Sequence, residues 1–183
     1  MCAAVTDLLR RGVASPFSHG AGRYFDGFGA LFLGRMRAGY EGQVAAEWEQ
    51  IAAPDETKAY AFDIDLTSEP WQLDLRPMVR GAVADFARGA HASTIAAAFH
   101  NTLAEATALL VRRVADHETG RLPVVASGGC FQNAGLVAGL RRALASEFDL
   151  RLNRQVPCGD GGIALGQAVI VNALTRDDDT KIS

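Results

Sequence analysis

The sequence predicts an α/β fold with a mixed sheet flanked by helices. Two observations lead there: short apolar strands alternate with stretches of helical periodicity, and two glycine loops each open an apolar helix. A loop-like stretch from Ser15 to Gly20 comes first. Tyr24, Phe25, Phe28, Leu31, Phe32 and Met36 then recur at three- and four-residue steps, which predicts a helix over 22–37. After the connection Tyr40-Glu41-Gly42, the residues Ala45, Ala46, Trp48 and Ile51 predict a second helix that ends before Pro54. Tyr60, Phe62, Ile64 and Leu66 alternate with Ala61, Asp63 and Asp65, the period of a strand with one wet face, and a turn leads to a partner strand around Trp71 and Leu73. Asp74 is placed to cap a helix carrying Met78, Val79, Ala82, Val83 and Phe86. The longest helix carries Ile95, Phe99, Thr102, Leu103, Ala106, Leu109, Leu110 and Val114, with Gly120 placed to end it. A strand at 123–126 enters the glycine pair Gly128-Gly129, and Leu136, Val137, Leu140 and Leu144 mark the following helix. A short strand over 148–152, a second glycine loop and a final helix to about Leu174 complete the order, and the aspartate run predicts a disordered tail over 177–183.

With 183 residues, 49% of them hydrophobic, the chain can bury a substantial core, which excludes a disordered class. Eighteen basic residues against 21 acidic ones give a net charge of −3, and no basic stretch is interleaved with aromatics, so nucleic acid is not expected as a partner. Cys2, Cys130 and Cys158 are too few and too scattered for a disulfide framework, and no paired-cysteine spacing suggests zinc. A reducing cytoplasm is the expected compartment. No run of about 18 apolar residues occurs, so no membrane partner is expected either.

Ser127, Gly128 and Gly129 have the grammar of a phosphate cradle, because adjacent glycines let backbone N–H groups approach an anion and a following helix points its positive end at it. The later loop, Cys158-Gly159-Asp160-Gly161-Gly162, repeats that grammar with a carboxylate added. Asn133 falls just after the first loop, where its amide can read a base or ribose or simply sit on a helix surface. Asp26 lies between Gly22 and Gly29, either beside a bare strip for a ligand or at the solvated edge of close helix packing. Asp160 reads as an ordinary helix cap or as a metal ligand. His19, His91, His100 and His117 contain no i,i+4 pair, so no two-histidine metal clamp forms on one helix; His100 reads as a satisfied core histidine and Cys130 as a packing residue.

Six blocks in order carry a resemblance: Arg11 to Pro16, Ala21 to Asp26, Tyr40 to Gln43, Phe99 to Ala104, Ser127 to Asn133 and Asp160 to Gln167. Together they resemble the C-terminal part of the HypF carbamoyltransferases of nickel-iron hydrogenase maturation, and cover nearly the whole chain. More loosely they are similar to threonylcarbamoyl-adenosine tRNA synthases and antibiotic O-carbamoyltransferases. The resemblance implies an actin-like ATPase (ribonuclease H-like) lobe over 1–176, lacking its first lobe. It implies that Asp26 and Gly42 contact the ribose region of a nucleotide, that Ser127, Gly128, Gly129 and Asn133 complete the nucleotide site, and that Asp160 is a metal ligand. The implied cofactors are ATP or carbamoyl-adenylate and a divalent metal (zinc, iron or magnesium).

The implied reaction moves a carbamoyl group from carbamoyl-adenylate to the C-terminal cysteine of a HypE-like acceptor protein, on the way to the hydrogenase cyanide ligand. The family's histidine pair and adenylate-forming domain lie upstream of the matched region, so a fragment with little transfer activity of its own is expected, served by an N-terminal HypF-like chain or domain. Cys158-Gly159 stands where the family often has Pro-Asn. The alternatives are a small-molecule O-carbamoyltransferase of the same fold, and a non-catalytic binding or assembly module, as a homodimer hiding an apolar face.

Overall fold

The computed structural model describes residues 2–14, 18–118, 123–145 and 147–179. Among the described residues seven helices and four strands follow one another: α1 (Cys2–Arg10), α2 (Gly22–Phe32), α3 (Gln43–Gln50), β1 (Asp63–Asp65), β2 (Gln72–Asp74), α4 (Arg76–Ala87), α5 (Ala92–His117), β3 (Val124–Ala126), α6 (Ala134–Leu144), β4 (Leu150–Leu152) and α7 (Ile163–Asp179). Short 3-10 turns precede α6 (Gly129–Gln132) and α7 (Asp160–Gly162). Helices and strands alternate as the sequence predicts. Among the described residues, however, the strands form two separate pairs, β1 with β2 antiparallel and β3 with β4 parallel, rather than one mixed sheet. A parallel pair needs a long crossover, and α6 supplies it between β3 and β4.

α5 is the axis of the core. Phe99 is fully buried there against Phe28 of α2 at 4.5 Å between ring centroids, Phe25 at 4.8 Å and Trp48 of α3 at 6.2 Å. α2 and α3 approach closely because Gly29 faces Val44, where a Cβ would lie 2.1 Å from Val44 Cγ1. α5 and α6 meet in the same way at Ala104 and Gly139. The buried Trp48 Nε1 has no acceptor among the described residues, a loss of about 1–3 kcal/mol that the surrounding aromatic burial offsets.

α2 stops at Phe32, short of the expected residue 37. Gly34 takes φ +67° just beyond the end, and Leu33 N–H and Arg35 N–H both donate to the Gly29 carbonyl, a left-handed termination that leaves Met36 exposed. Arg35 then clamps the exit onto α3 by donating to Glu47 at 2.6 and 2.8 Å. The predicted strand over 60–66 shortens to β1 because Tyr60 N–H donates to Thr102 Oγ1 at 2.7 Å instead of to a neighbouring strand. Asp74 serves the start of α4 from one residue further out than expected: Leu75 is the N-cap residue, and Asp74 Oδ1 accepts from Arg76 N–H at 2.9 Å. α1 has no counterpart in the sequence reading. α7 continues through the aspartate run to Asp179, since propagation adds a hydrogen bond per residue once the helix exists; 180–183, like Gly120 and 15–17, lie outside the described residues.

Tyr60 crosses α4 from Gly81, where a Cβ would lie 2.7 Å from its ring, to Asp85, whose carboxylate accepts its hydroxyl at 2.9 Å. Asp85 is buried and also accepts from Lys58 and from Arg88 at 2.5 Å. The Lys58 ammonium, with the Tyr60 hydroxyl and Arg88, holds the Asp85 carboxyl at about 2, below the ordinary carboxylate range, while burial pushes the Tyr60 phenol up. A carboxyl depressed on folding contributes stability that is complete above its unfolded value near 4 and lost as pH falls through about 2. Asp85→Asn is expected to flatten that acid limb, removing about 2 kcal/mol of its amplitude. Urea unfolding from pH 2.5 to 7 checks this; parallel curves for the two chains would contradict it.

Candidate functional site

The two glycine loops come together. Gly128 N–H donates to the Cys158 carbonyl at 2.6 Å, and the Ser127 hydroxyl reaches the same oxygen at 3.4 Å. A Cβ on Gly159 would lie 2.8 Å from Gln132 Nε2 and 3.8 Å from Gly129 Cα, so only glycine lets the loops close to this distance without moving Gln132. Gly128 adopts φ +113° and ψ 160°, a conformation that is essentially reserved for glycine. The backbone N–H groups of Gly129 and Gly161 donate to no acceptor among the described residues, and both residues are exposed. Unpaired amides on an open glycine surface suit an anion.

The helix end behind this turn is not free, as the sequence reading had it. Gly128-Gly129 open a 3-10 turn, and α6 begins only after Asn133. Asn133 Oδ1 caps α6 by accepting from Leu136 N–H at 2.7 Å, and Glu49 of α3 accepts from Gly135 N–H at 3.0 Å. The positive end of α6 is therefore occupied by the protein's own carboxylate. Two of the first three α6 amides, those of Gly135 and Leu136, are thereby taken.

Asn133 is 7% exposed, and its Nδ2 lies 2.9 Å from His100 Nε2. Both polar atoms of its amide have internal partners, which a base or ribose reaching it would have to displace. His100 is the satisfied core histidine that was expected, with Nδ1 2.7 Å from the Ala96 carbonyl, and burial pushes its imidazole below the ordinary histidine value. The sequence places Glu49 on the second helix but gives it no part in the site, because a glutamate near the end of a short amphipathic helix carries no motif.

Asp26 sits on the exposed side of α2, paired with Arg23 at 3.4 Å, while Gly29 is taken up by packing on Val44. That matches the bland alternative of a solvated edge. Gly42 begins α3 with φ +81°, exposed and with open space around it. Phe25, the neighbour of Asp26, packs on the His100 ring at 5.5 Å, so α2 borders the Asn133 cluster, whereas Gly42 lies at the opposite end of α3 from Glu49.

Asp160 is exposed, and its carboxylate has no ion pair or hydrogen bond among the described residues. No three His, Cys, Asp or Glu side chains among the described residues converge as a metal ligand set. One carboxylate does not hold a divalent ion in place, so these residues alone do not build the metal site. Two surface depressions among the described residues, one around Leu33, Arg35 and Glu47 and one along 149–156, include no glycine-loop residue. Cys130 is half-buried, and burial pushes its thiol up, which opposes a nucleophilic role. No helix among the described residues is long and apolar enough to cross a membrane.

The family described as "Carbamoyltransferase, Kae1-like Domain, second subdomain" matches residues 2–167. The chain is 37% identical over 177 residues to the carbamoyltransferase HypF of Rhodobacter capsulatus, covering 93% of this chain and 22% of that protein. It is also 37% identical to a carbamoyltransferase HypF homolog of Cupriavidus necator, covering 90% and 43%. Among solved structures, full-length HypF in its phosphate- and nucleotide-bound form superposes with a TM-score of 0.85 at 34% identity, over 94% of this chain and 23% of that one. The chain thus spans less than half the length of these relatives. With most of its length matched in sequence and in fold, this chain belongs to the HypF carbamoyltransferase family, as the second subdomain of its Kae1-like, actin-type domain.

Proposed function

We propose that this chain supplies the phosphate-facing wall of the adenylate site in a HypF-type carbamoyltransferase, and that a complementing lobe closes the other side. The observation that carries this reading is the bond from Gly128 N–H to the Cys158 carbonyl, which joins the two glycine loops, while the amides of the exposed Gly129 and Gly161 have no acceptor among the described residues. The likeness to a HypF that holds phosphate and nucleotide supports it. Asp26 and Gly42 would border the ribose side, with Ser127, Gly128 and Gly129 at the phosphate and Asn133 acting from behind.

In the reaction, a cysteine thiolate at the C-terminus of a HypE-like acceptor attacks the carbamoyl carbon of carbamoyl-adenylate. The new C–S bond replaces the C–O bond to the phosphate, AMP leaves with that electron pair, and the thiol proton passes to solvent. The adenylate is already activated, so the chain's part is to orient the leaving phosphate and to place preorganised amides where its charge develops. An open wall does not exclude water, so the chain alone is expected to form little thiocarboxamide. Metal-assisted steps are assigned to no residue here.

Calorimetric titration of the full chain with AMP and with inorganic phosphate tests this. AMP is expected to bind and phosphate to compete with it; absence of AMP binding, by the chain and by its mixture with a complementing HypF lobe, would end the reading. A second reading, an assembly module, draws on the apolar and exposed face of α7: Ile163, Leu165, Val169, Ile170, Val171 and Leu174 are each more than half exposed. A stable dimer that ignores AMP would support it instead.

A further inference from the structure

Three helices meet in a small polar node behind the glycine turn. His100 Nδ1 faces the Ala96 carbonyl at 2.7 Å, and a carbonyl only accepts, so the ring proton sits on Nδ1. Nε2 of the neutral ring is then an acceptor and takes a hydrogen bond from Asn133 Nδ2 at 2.9 Å. That choice fixes the amide, leaving Oδ1 to cap Leu136 N–H. The cap is continuous with the turn, since Asn133 N–H donates to the Cys130 carbonyl and Phe131 N–H to the Gly128 carbonyl. We propose that His100 is a positioning residue for the phosphate-facing turn: its neutral Nε2 holds Asn133 as the cap of α6, and through Asn133 it sets the glycine turn.

A proton on Nε2 would convert the acceptor into a donor facing the Asn133 amide N–H. Two donors do not pair. The amide must then turn over or withdraw, and a turned amide offers NH2 to Leu136 N–H, which removes the cap. The surroundings set where this occurs: Phe25 of α2 and Phe99 of α5 are apolar, Asn133 of α6 is neutral, and Glu49 of α3 is the charged group acting on the ring and favours its proton. Burial dominates and keeps the ring neutral to below the ordinary histidine range. Ligand affinity as a consequence rests on the nucleotide reading above; the control of the turn does not.

The test follows the His100 ring and the amides of Gly129, Gly135 and Leu136 by NMR across pH in the full chain, with AMP affinity measured in parallel. Wild type is expected to show these amides shifting at the midpoint of the His100 titration. His100→Gln, whose Oε1 can stand where Nε2 stands, is expected to abolish that titration and bind AMP within about twofold of wild type, whereas His100→Leu weakens AMP about five- to tenfold, the size of a lost cap. Asn133→Asp keeps a capping oxygen but puts a carboxylate on Nε2, so it raises the His100 midpoint; it decides the matter if His100→Leu does not fold. Amides that ignore the His100 titration, an unmoved midpoint in Asn133→Asp, or equal AMP affinity in His100→Leu and wild type each overturn the assignment. If wild type binds no AMP, the nucleotide reading fails and the amide titration alone decides for or against His100.

Discussion

Phe99→Ala is expected to lower the unfolding free energy by about 3–5 kcal/mol, the largest stability loss of any change considered for this chain. The ring is fully buried and lies within 4.5 to 6.2 Å of Phe25, Phe28, His100 and Trp48, so truncation opens a cavity between α2, α3 and α5 at once. Collapse into that space is opposed because Gly29 already packs on Val44 and gives α2 and α3 no room to slide. Urea unfolding of the two chains under one condition measures the difference. A loss below about 1 kcal/mol would mean that the aromatic cluster is not the keystone of the core.

Gly128→Val is expected to remove most of the AMP affinity, at least about tenfold, for a smaller cost in stability, about 1–3 kcal/mol. A Cβ at Gly128 meets nothing within 4 Å, so the penalty is not a clash with neighbours. It lies in the backbone: φ +113° with ψ 160° excludes a branched side chain, and relaxing φ turns the N–H away from the Cys158 carbonyl. The two loops then part. Gly166→Ala, on α7 with open space around it, is the control and should leave AMP affinity unchanged. Thermal unfolding with calorimetric titration separates the two effects, and full affinity in a folded Gly128→Val chain would contradict the role given to this glycine.

Element type and order from α2 onward were legible from periodicity, because long amphipathic stretches such as α5 repeat their apolar residues often enough to outweigh local noise. Element ends were less so. The end of α2 depended on Gly34 adopting a left-handed conformation, and the shortening of β1 depended on Thr102, which lies 42 residues away along the chain. The two glycine loops were legible from their shared grammar, and His100 was read correctly as a core residue. The capping role of Asn133 was not legible, because it depends on the arrival of His100 from α5 to fix the amide. Glu49 had no signal at all: its importance arises from the packing of α3 against the start of α6, which no local spacing encodes.

Glu49 stands at the head of α6, on the Gly135 amide. With that carboxylate in residence, a phosphate bound here as proposed would be held by main-chain amides, which exchange of an ordinary side chain for alanine leaves in place. Alanine scanning across this surface would pass over the site almost silently. Changes of backbone geometry, glycine to a branched residue above all, would be the mutations that reveal it.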